Sequence, residues 1–353
     1  MKLLLKLLLL VQLVGCRAAM KDPANSSNDI QPSHPAASGF RNPPGEREQS
    51  ASASHGTGFY LRRLKRSFFP PKVPPGHVVP EPEALRTLDD LKADNTLTWL
   101  GHSTFLLRLD GKNILTDPFL TANAFPLSRG GPRRSAPPGI QITNLPAIDI
   151  LILSHDHHDH LDPKTLKALP HKEKITVFVP LGLKPFVEKC GYAAIHELDW
   201  QQSAAVGDLT FTALPAVHNS GRGLNNRNKT LWCSWAIRSA TAKLFFAGDT
   251  AYSQVAFKEI GAARGPFDAA LVPIGAYEPR NLMRAYHANP EEAVRIGLDL
   301  EARTLVAMHW GTIELSDEPF GDPPRRFRKK AAASGYAEAR IWTMKIGETR
   351  VLP

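Results

Sequence analysis

The stretch SHDHHDHLD, residues 154–162, decides how the chain is read, because it places four of the 13 histidines and three aspartates in nine consecutive positions. The run IDILIL just before it, residues 148–153, is short and almost continuously apolar, the pattern of a strand buried on both faces. Just after it, Asp162 followed by Pro163 is a helix start, with Asp as N-cap and Pro at the first helical position. The cluster therefore lies on a strand-to-helix turn. In an extended segment residues two apart point the same way, so His155 and His157 can meet one metal ion. Asp159 and His160, one turn further on, reach a second.

Composition sets the limits around this motif. The chain has 353 residues, 42% hydrophobic and 22% charged, which is enough to bury one large core or two modest ones. A formal charge of +9 favours anionic partners, but the positive residues occur in short groups, chiefly the basic aromatic segment FYLRRLKRSFF (59–69) and RRFRKK (325–330). No nucleic-acid-binding module is present in the sequence, so an anionic membrane surface is the partner these groups suggest, with a solvated basic helix face as the alternative.

The first fifteen residues read as a secretory signal, an apolar stretch interrupted by Lys2 and Lys6 and too short to cross roughly 30 Å of hydrocarbon. Their ending, LVGC, resembles a bacterial lipoprotein cleavage site. That resemblance implies a lipidated Cys16, anchorage in the bacterial cell envelope, and residues 16–38 as a flexible tether rich in Ser, Asn, Pro and Ala. Residues 39–90 carry many prolines and read as an irregular basic strap, with the main domain over 91–353. Cys190 and Cys233 lack metal or disulfide spacing and read as buried or unpaired thiols.

Strand patterns cover 97–109 and 113–116, flanking the turn Asp110-Gly111, and then 174–179, 209–214, 231–238, 243–247, 269–274 and 304–308. Helices are expected over 163–169 and 290–300, the second opened by the capping box Asn289-Pro290-Glu291-Glu292. Two β-sheets packed together and covered by helices suit this order.

A two-metal centre needs about three protein ligands per ion and a negative group between ions about 3.5 to 4 Å apart. The motif supplies four, and three more candidates each follow an apolar strand: His218, Asp249 and His309. This gives His155, His157 and His218 for one zinc, Asp159, His160 and His309 for the other, and Asp249 as the bridge. Imidazole and carboxylate without thiolate suit zinc, and iron or manganese could take the same shell.

The HDHHDH motif (155–160) resembles the signature of the metallo-β-lactamase superfamily. WLGHST (99–104), LTDP (115–118), LWCSW (231–235), FFAGDTAY (245–252), GPFDAALVPIGAYEPR (265–280), HANPEEAVRI (287–296) and MHWGT (308–312) are similar to the N-acylphosphatidylethanolamine-hydrolysing phospholipase D family, with a fainter echo at FRNP (40–43). The resemblance implies an α/β fold, the αββα sandwich of two mixed β-sheets flanked by helices, with two zinc ions at its edge. It also implies a phospholipid substrate cleaved to phosphatidic acid and N-acylethanolamine, a zinc-bridging hydroxide attacking phosphorus with Asp159 and Asp249 in the catalytic set. His287 would contact the phosphate or leaving oxygen as donor or general acid. Asp117 is expected to hydrogen-bond the metal loop, Arg280 to offer a phosphate clamp beside Tyr277 and Glu278, and His102 to be structural only. His158, where the animal enzymes carry a tyrosine, and NSGRG (219–223) depart from the family and border the substrate. Two alternatives stay open: hydrolysis of another bond, such as a lactone, on the same centre, and a non-catalytic metal-binding envelope lipoprotein.

Overall fold

The computed structural model describes residues 39–46, 56–69, 72–125, 131–223 and 225–353. The signal segment, Cys16 and the tether lie outside these residues. Strands run in chain order as β1 Thr96–Gly101, β2 Thr104–Leu109, β3 Lys112–Thr116, β4 Ile150–Ile152, β5 Thr176–Pro180, β6 Ala194–Leu198, β7 Ser203–Val206, β8 Leu209–Leu214, β9 Ser234–Arg238, β10 Lys243–Phe246, β11 Ala269–Pro273, β12 Thr304–Met308, β13 Ile341–Trp342 and β14 Thr349–Val351. The helices are α1 Gly56–Phe68, α2 Glu81–Asp90, α3 Pro163–Ala168, α4 Lys184–Glu188, α5 Gln254–Arg264, α6 Arg280–Met283, α7 Pro290–Asp299 and α8 Asp322–Ala333. Among the described residues no helix is long and apolar enough to cross a membrane.

Two seven-stranded sheets result, ordered β14-β1-β2-β3-β4-β5-β6 and β13-β12-β11-β10-β9-β8-β7. Each is mixed: β1 to β3 are antiparallel neighbours and β3 to β6 parallel, while β7 to β10 are antiparallel and β10 to β13 parallel. The parallel inner strands β4, β11 and β12 are buried at every position, as their unbroken apolar sequences require. Alternate side chains divide between two cores. Ile150 and Ile152 enter the core between the sheets, and Leu151 packs outward with Leu166 of α3. Between the sheets, Phe178 of β5 meets Phe211 of β8 at a ring separation of 4.2 Å and Trp235 of β9 at 6.3 Å.

The structure changes three expectations of detail. The single strand expected over 97–109 is two, because the chain turns at His102, whose φ is +56°. The stretch read as an irregular strap carries α1 and α2, and α2 opens with Pro82 in its first turn and buries Ala84 and Leu88. Strands β6, β7, β13 and β14 are additional; β14 comes from the end of the described chain and pairs with β1, Thr96 opposite Val351. Cys190 and Cys233 are both free and buried, as expected.

Candidate metal centre

Every residue singled out for metal binding follows the C-terminal end of a strand: the motif after β4, His218 after β8, Asp249 after β10 and His309 after β12. Parallel neighbours bring those ends to one edge, and the loops there are pinned. Trp235 Nε1 donates to the Leu153 carbonyl (3.0 Å) and the Cys233 amide to the Ser154 carbonyl (2.9 Å), so the second sheet holds the start of the motif loop. At its other end Asp162 caps α3, accepting from the amides of Lys164 (3.1 Å) and Thr165 (3.3 Å). Gly248, at φ +58°, brings Asp249 round a turn where a Cβ would lie 2.5 Å from the Ser154 side chain.

The structure gathers all seven predicted residues. In one set His157 Nδ1 lies 2.9 Å from His155 Nε2 and 3.2 Å from His218 Nε2, and Asp249 Oδ2 stands 3.9 Å and 3.7 Å from the same two nitrogens. In the other, Asp159 Oδ2 is 3.7 Å from His160 Nε2 and 3.9 Å from His309 Nε2. Asp249 reaches this set too, with Oδ2 3.2 Å from His160 Nε2 and Oδ1 3.0 Å from His309 Nε2.

The ring nitrogens facing away from the centre set the tautomers. His155 Nδ1 is paired with Ser154 Oγ (2.8 Å), His218 Nδ1 donates to the Tyr286 carbonyl (2.9 Å), and His160 Nδ1 donates to Asp117 Oδ2 (2.7 Å). Each of these three imidazoles then turns an Nε2 lone pair inward. Asp117 is fully buried and also accepts from the Ser154 amide (2.7 Å) and hydroxyl (2.5 Å), which is the loop-holding role expected of it.

These residues fit a metal on two grounds. The inward nitrogens of His155 and His218 stand about 3 Å from His157 Nδ1, close enough that a proton or a cation has to be shared among them. In addition His160 Nε2, Asp249 Oδ1 and both ring nitrogens of His309 are buried without a hydrogen bond among the described residues, a costly arrangement for polar atoms with no other partner. The electrostatics divide: burial opposes charge on His160, but Asp249, Asp159 and Asp117 raise it well above its usual pKa, so as a ligand it would give up a proton, whereas the other set is neutral. Burial, with His160 beside it, holds His155 well below its usual pKa, and burial pushes His218 down to about 3 against the pull of Asp249, so both rings are neutral ligands. Burial alone would raise Asp249, but His160 and His309 bring it well below the usual carboxylate range.

His287, expected near the phosphate, does border the centre, its buried Nδ1 3.9 Å from Asp249 Oδ2. Arg280 is a correction. Its guanidinium is paired with Glu292 and donates to the His287 carbonyl (2.7 Å), so it supports the loop carrying His287 and is not free to clamp phosphate. Tyr277 likewise donates to Asp322 (2.6 Å), and Glu278 Oε2 accepts from the Arg280 amide (2.9 Å). The His158 and 219–223 departures meet each other: half-buried Arg222 donates to the carbonyls of Asp156 (2.5 Å) and Leu161 (2.8 Å) and to His158 Nδ1 (2.7 Å), clasping the motif loop. His102, read as structural only, sits in the second set with Nε2 2.9 Å from Asp159 Oδ2. The signal for it, a position just after a strand, was masked because residues 97–109 read as a single strand. Arg222 had no such signal.

Comparison with known proteins follows the same lines. The profile of the beta-lactamase superfamily domain matches residues 112–310. An uncharacterized protein of Mycobacterium tuberculosis is 45% identical over 235 residues, 65% of this chain and 62% of its own length, so the chain spans less than two thirds of that relative. The N-acyl-phosphatidylethanolamine-hydrolyzing phospholipase D 1 of Caenorhabditis elegans is 39% identical over 276 residues, 74% of this chain and 78% of its own. Among solved structures, an isothiocyanate hydrolase from Delia radicum gut bacteria superposes with a TM-score of 0.58 at 22% identity, covering 72% of this chain and 98% of its own. The metallo-beta-lactamase fold protein YhfI of Bacillus subtilis gives 0.52 at 19% identity, covering 73% and 99%. The chain belongs to the metallo-β-lactamase superfamily and, within it, to the family that holds the N-acylphosphatidylethanolamine-hydrolysing phospholipases D.

Proposed function

We propose that the protein is a zinc-dependent hydrolase that cleaves the phosphodiester of N-acylphosphatidylethanolamine-like phospholipids to phosphatidic acid and an N-acylethanolamine. The observation that carries this reading is the position of Asp249 between two buried donor sets, His155, His157 and His218 on one side and Asp159, His160 and His309 on the other. Bound there, two dications supply Lewis acidity towards phosphoryl oxygens and lower the pKa of water towards neutrality. The chain's own groups have distinct tasks. Asp117, Ser154 and the Tyr286 carbonyl keep the ligand tautomers fixed. His287, buried beside Asp249, donates a hydrogen bond to the phosphate or the leaving oxygen.

The lipid class has its own support. Beside His309 a small hollow of about 30 Å3, bordered by Trp310, Ile313, Leu315 and Phe320, gives the centre an apolar rim. Helix α1 borders it, because Arg62 and Arg66 pair with Asp317, and Arg66 also with Glu314. Leu61 of that helix and the adjoining Phe69 are exposed at 59% and 74%, which suits contact with a membrane surface. Attachment to the cell envelope through a lipidated Cys16 belongs to the same proposal and rests on the sequence alone.

The test is product identification. The zinc-loaded protein, incubated separately with N-acylphosphatidylethanolamine in mixed micelles and with acyl lactones, should release phosphatidic acid and N-acylethanolamine from the lipid. Chelation should stop the reaction and zinc restore it. Lactone opening without lipid cleavage would replace the phosphodiesterase reading, and no turnover of either with two metals bound would refute it.

A further inference from the structure

His102 stands outside the seven-residue set, yet it touches three members of the second cluster. Its Nε2 is 2.9 Å from Asp159 Oδ2, its carbonyl accepts from the His309 amide at 3.1 Å, and its ring lies 4.0 Å from that of His309 and 5.1 Å from that of His160. The side chain is 1% exposed. Its backbone is left-handed, at φ +56°, a conformation unfavourable for a residue with a side chain. That conformation is held in place. The His102 amide donates to Thr312 Oγ1 (2.6 Å), and Trp99 Nε1 donates to the His102 carbonyl (2.9 Å). A residue fixed on both sides in an unfavourable conformation, and aimed at one carboxylate oxygen, is placed for that oxygen.

We propose that His102 is a positioning residue of the second cluster: its imidazole donates Nε2–H to Asp159 Oδ2 and holds that carboxylate turned towards His160 and His309. The tautomer follows from the surroundings. A carboxylate oxygen can only accept, so the ring nitrogen that faces it must carry a proton. Nδ1 has no hydrogen-bond partner among the described residues, which leaves Asp159 as the acceptor for that proton on Nε2. A separation of 2.9 Å is an ordinary hydrogen-bond length. Asp159, His160, His309 and Asp249 already offer four donor atoms, so His102 serves the cluster without being a ligand. An unrestrained aspartate at the half-open mouth could rotate away from the metal or turn to water, and groups that prevent this are worth about 10- to 100-fold in metal affinity.

The inference rests on the metal-centre reading but not on the lipid substrate, and its test reads metal binding with no lipid present. Wild type, His102→Asn and His102→Gln are stripped and titrated with zinc against a competing chelator, and bound zinc is counted by atomic spectrometry. Asparagine tolerates the left-handed turn but is too short to reach Asp159, whereas the glutamine amide can place a donor near the Nε2 position. His102→Asn should keep the first zinc at wild-type affinity and bind the second about 10- to 100-fold more weakly, and His102→Gln should restore the second to within a few-fold. Equal weakening of both sites in His102→Asn would mean a general structural role and overturn the proposal. So would an unchanged second site in His102→Asn, or a His102→Gln variant as weak as His102→Asn. Fewer than two zinc ions on wild type would overturn the metal-centre reading first, whatever the variants do.

Discussion

Replacing Asp117 by asparagine changes almost no volume and should still disable one side of the metal centre. Asp117 is fully buried and acts as an acceptor three times: Oδ1 for the Ser154 amide at 2.7 Å, and Oδ2 for the Ser154 hydroxyl at 2.5 Å and His160 Nδ1 at 2.7 Å. An asparagine has two placements. With its oxygen at Oδ1, the NH2 meets His160 Nδ1, and the ring must take the tautomer whose proton is on Nε2, the atom that faces Asp249 and Asp159. A protonated Nε2 is no metal ligand. With the oxygen at Oδ2, the NH2 instead meets the Ser154 N–H, two donors in a buried space. Either way one buried polar group is left unsatisfied, costing about 1 to 3 kcal/mol. With about 1.4 kcal/mol per factor of ten, the second zinc should bind about 10- to 100-fold more weakly. Chelator-competition titration reads this directly, with circular dichroism confirming the fold. Wild-type affinity at both sites would refute the tautomer argument.

Three further outcomes are expected. Asp249→Asn removes the charge shared by both sets, so zinc per chain should fall below one at micromolar zinc and lipid cleavage by at least about 1,000-fold, read by elemental analysis and product release. Arg222→Lys cannot reproduce one planar fork bonded to two carbonyls and His158, so it should lower unfolding free energy by about 2 kcal/mol in urea and reduce turnover with the metal count preserved. Gly248→Ala puts a Cβ 2.5 Å from Ser154 on a left-handed residue, and should cost about 2 kcal/mol or more while displacing Asp249, seen as lower zinc affinity in the same titration.

The seven-residue set was legible because each member follows an apolar strand, and strand ends in such sheets share an edge; His218, Asp249 and His309 are far apart in sequence but equivalent in that pattern. Asp117 came from the resemblance at LTDP (115–118). What escaped depends on contacts without a periodic signature. Whether Arg280 is free or spent on Glu292 is decided by a loop meeting a helix twelve residues later, and Arg222 reaches the motif across more than sixty residues. The turn at His102 was hidden because residues 97–109 are apolar on both sides of it, and only the left-handed backbone shows that the strand breaks. Strands β13 and β14 are two and three residues long, too short to carry an alternating pattern.

The pairing of β14 with β1 has a temporal meaning. Val351 lies opposite Thr96, and His309 is the last of the seven gathered residues to be synthesised, so the first sheet cannot be completed until translation has passed residue 351. A growing polypeptide emerges from the ribosome amino end first. Until His309 is made, the histidine-rich loop stands without the full set of His218, Asp249 and His309. The two candidate donor sets can close only on a chain translated past His309.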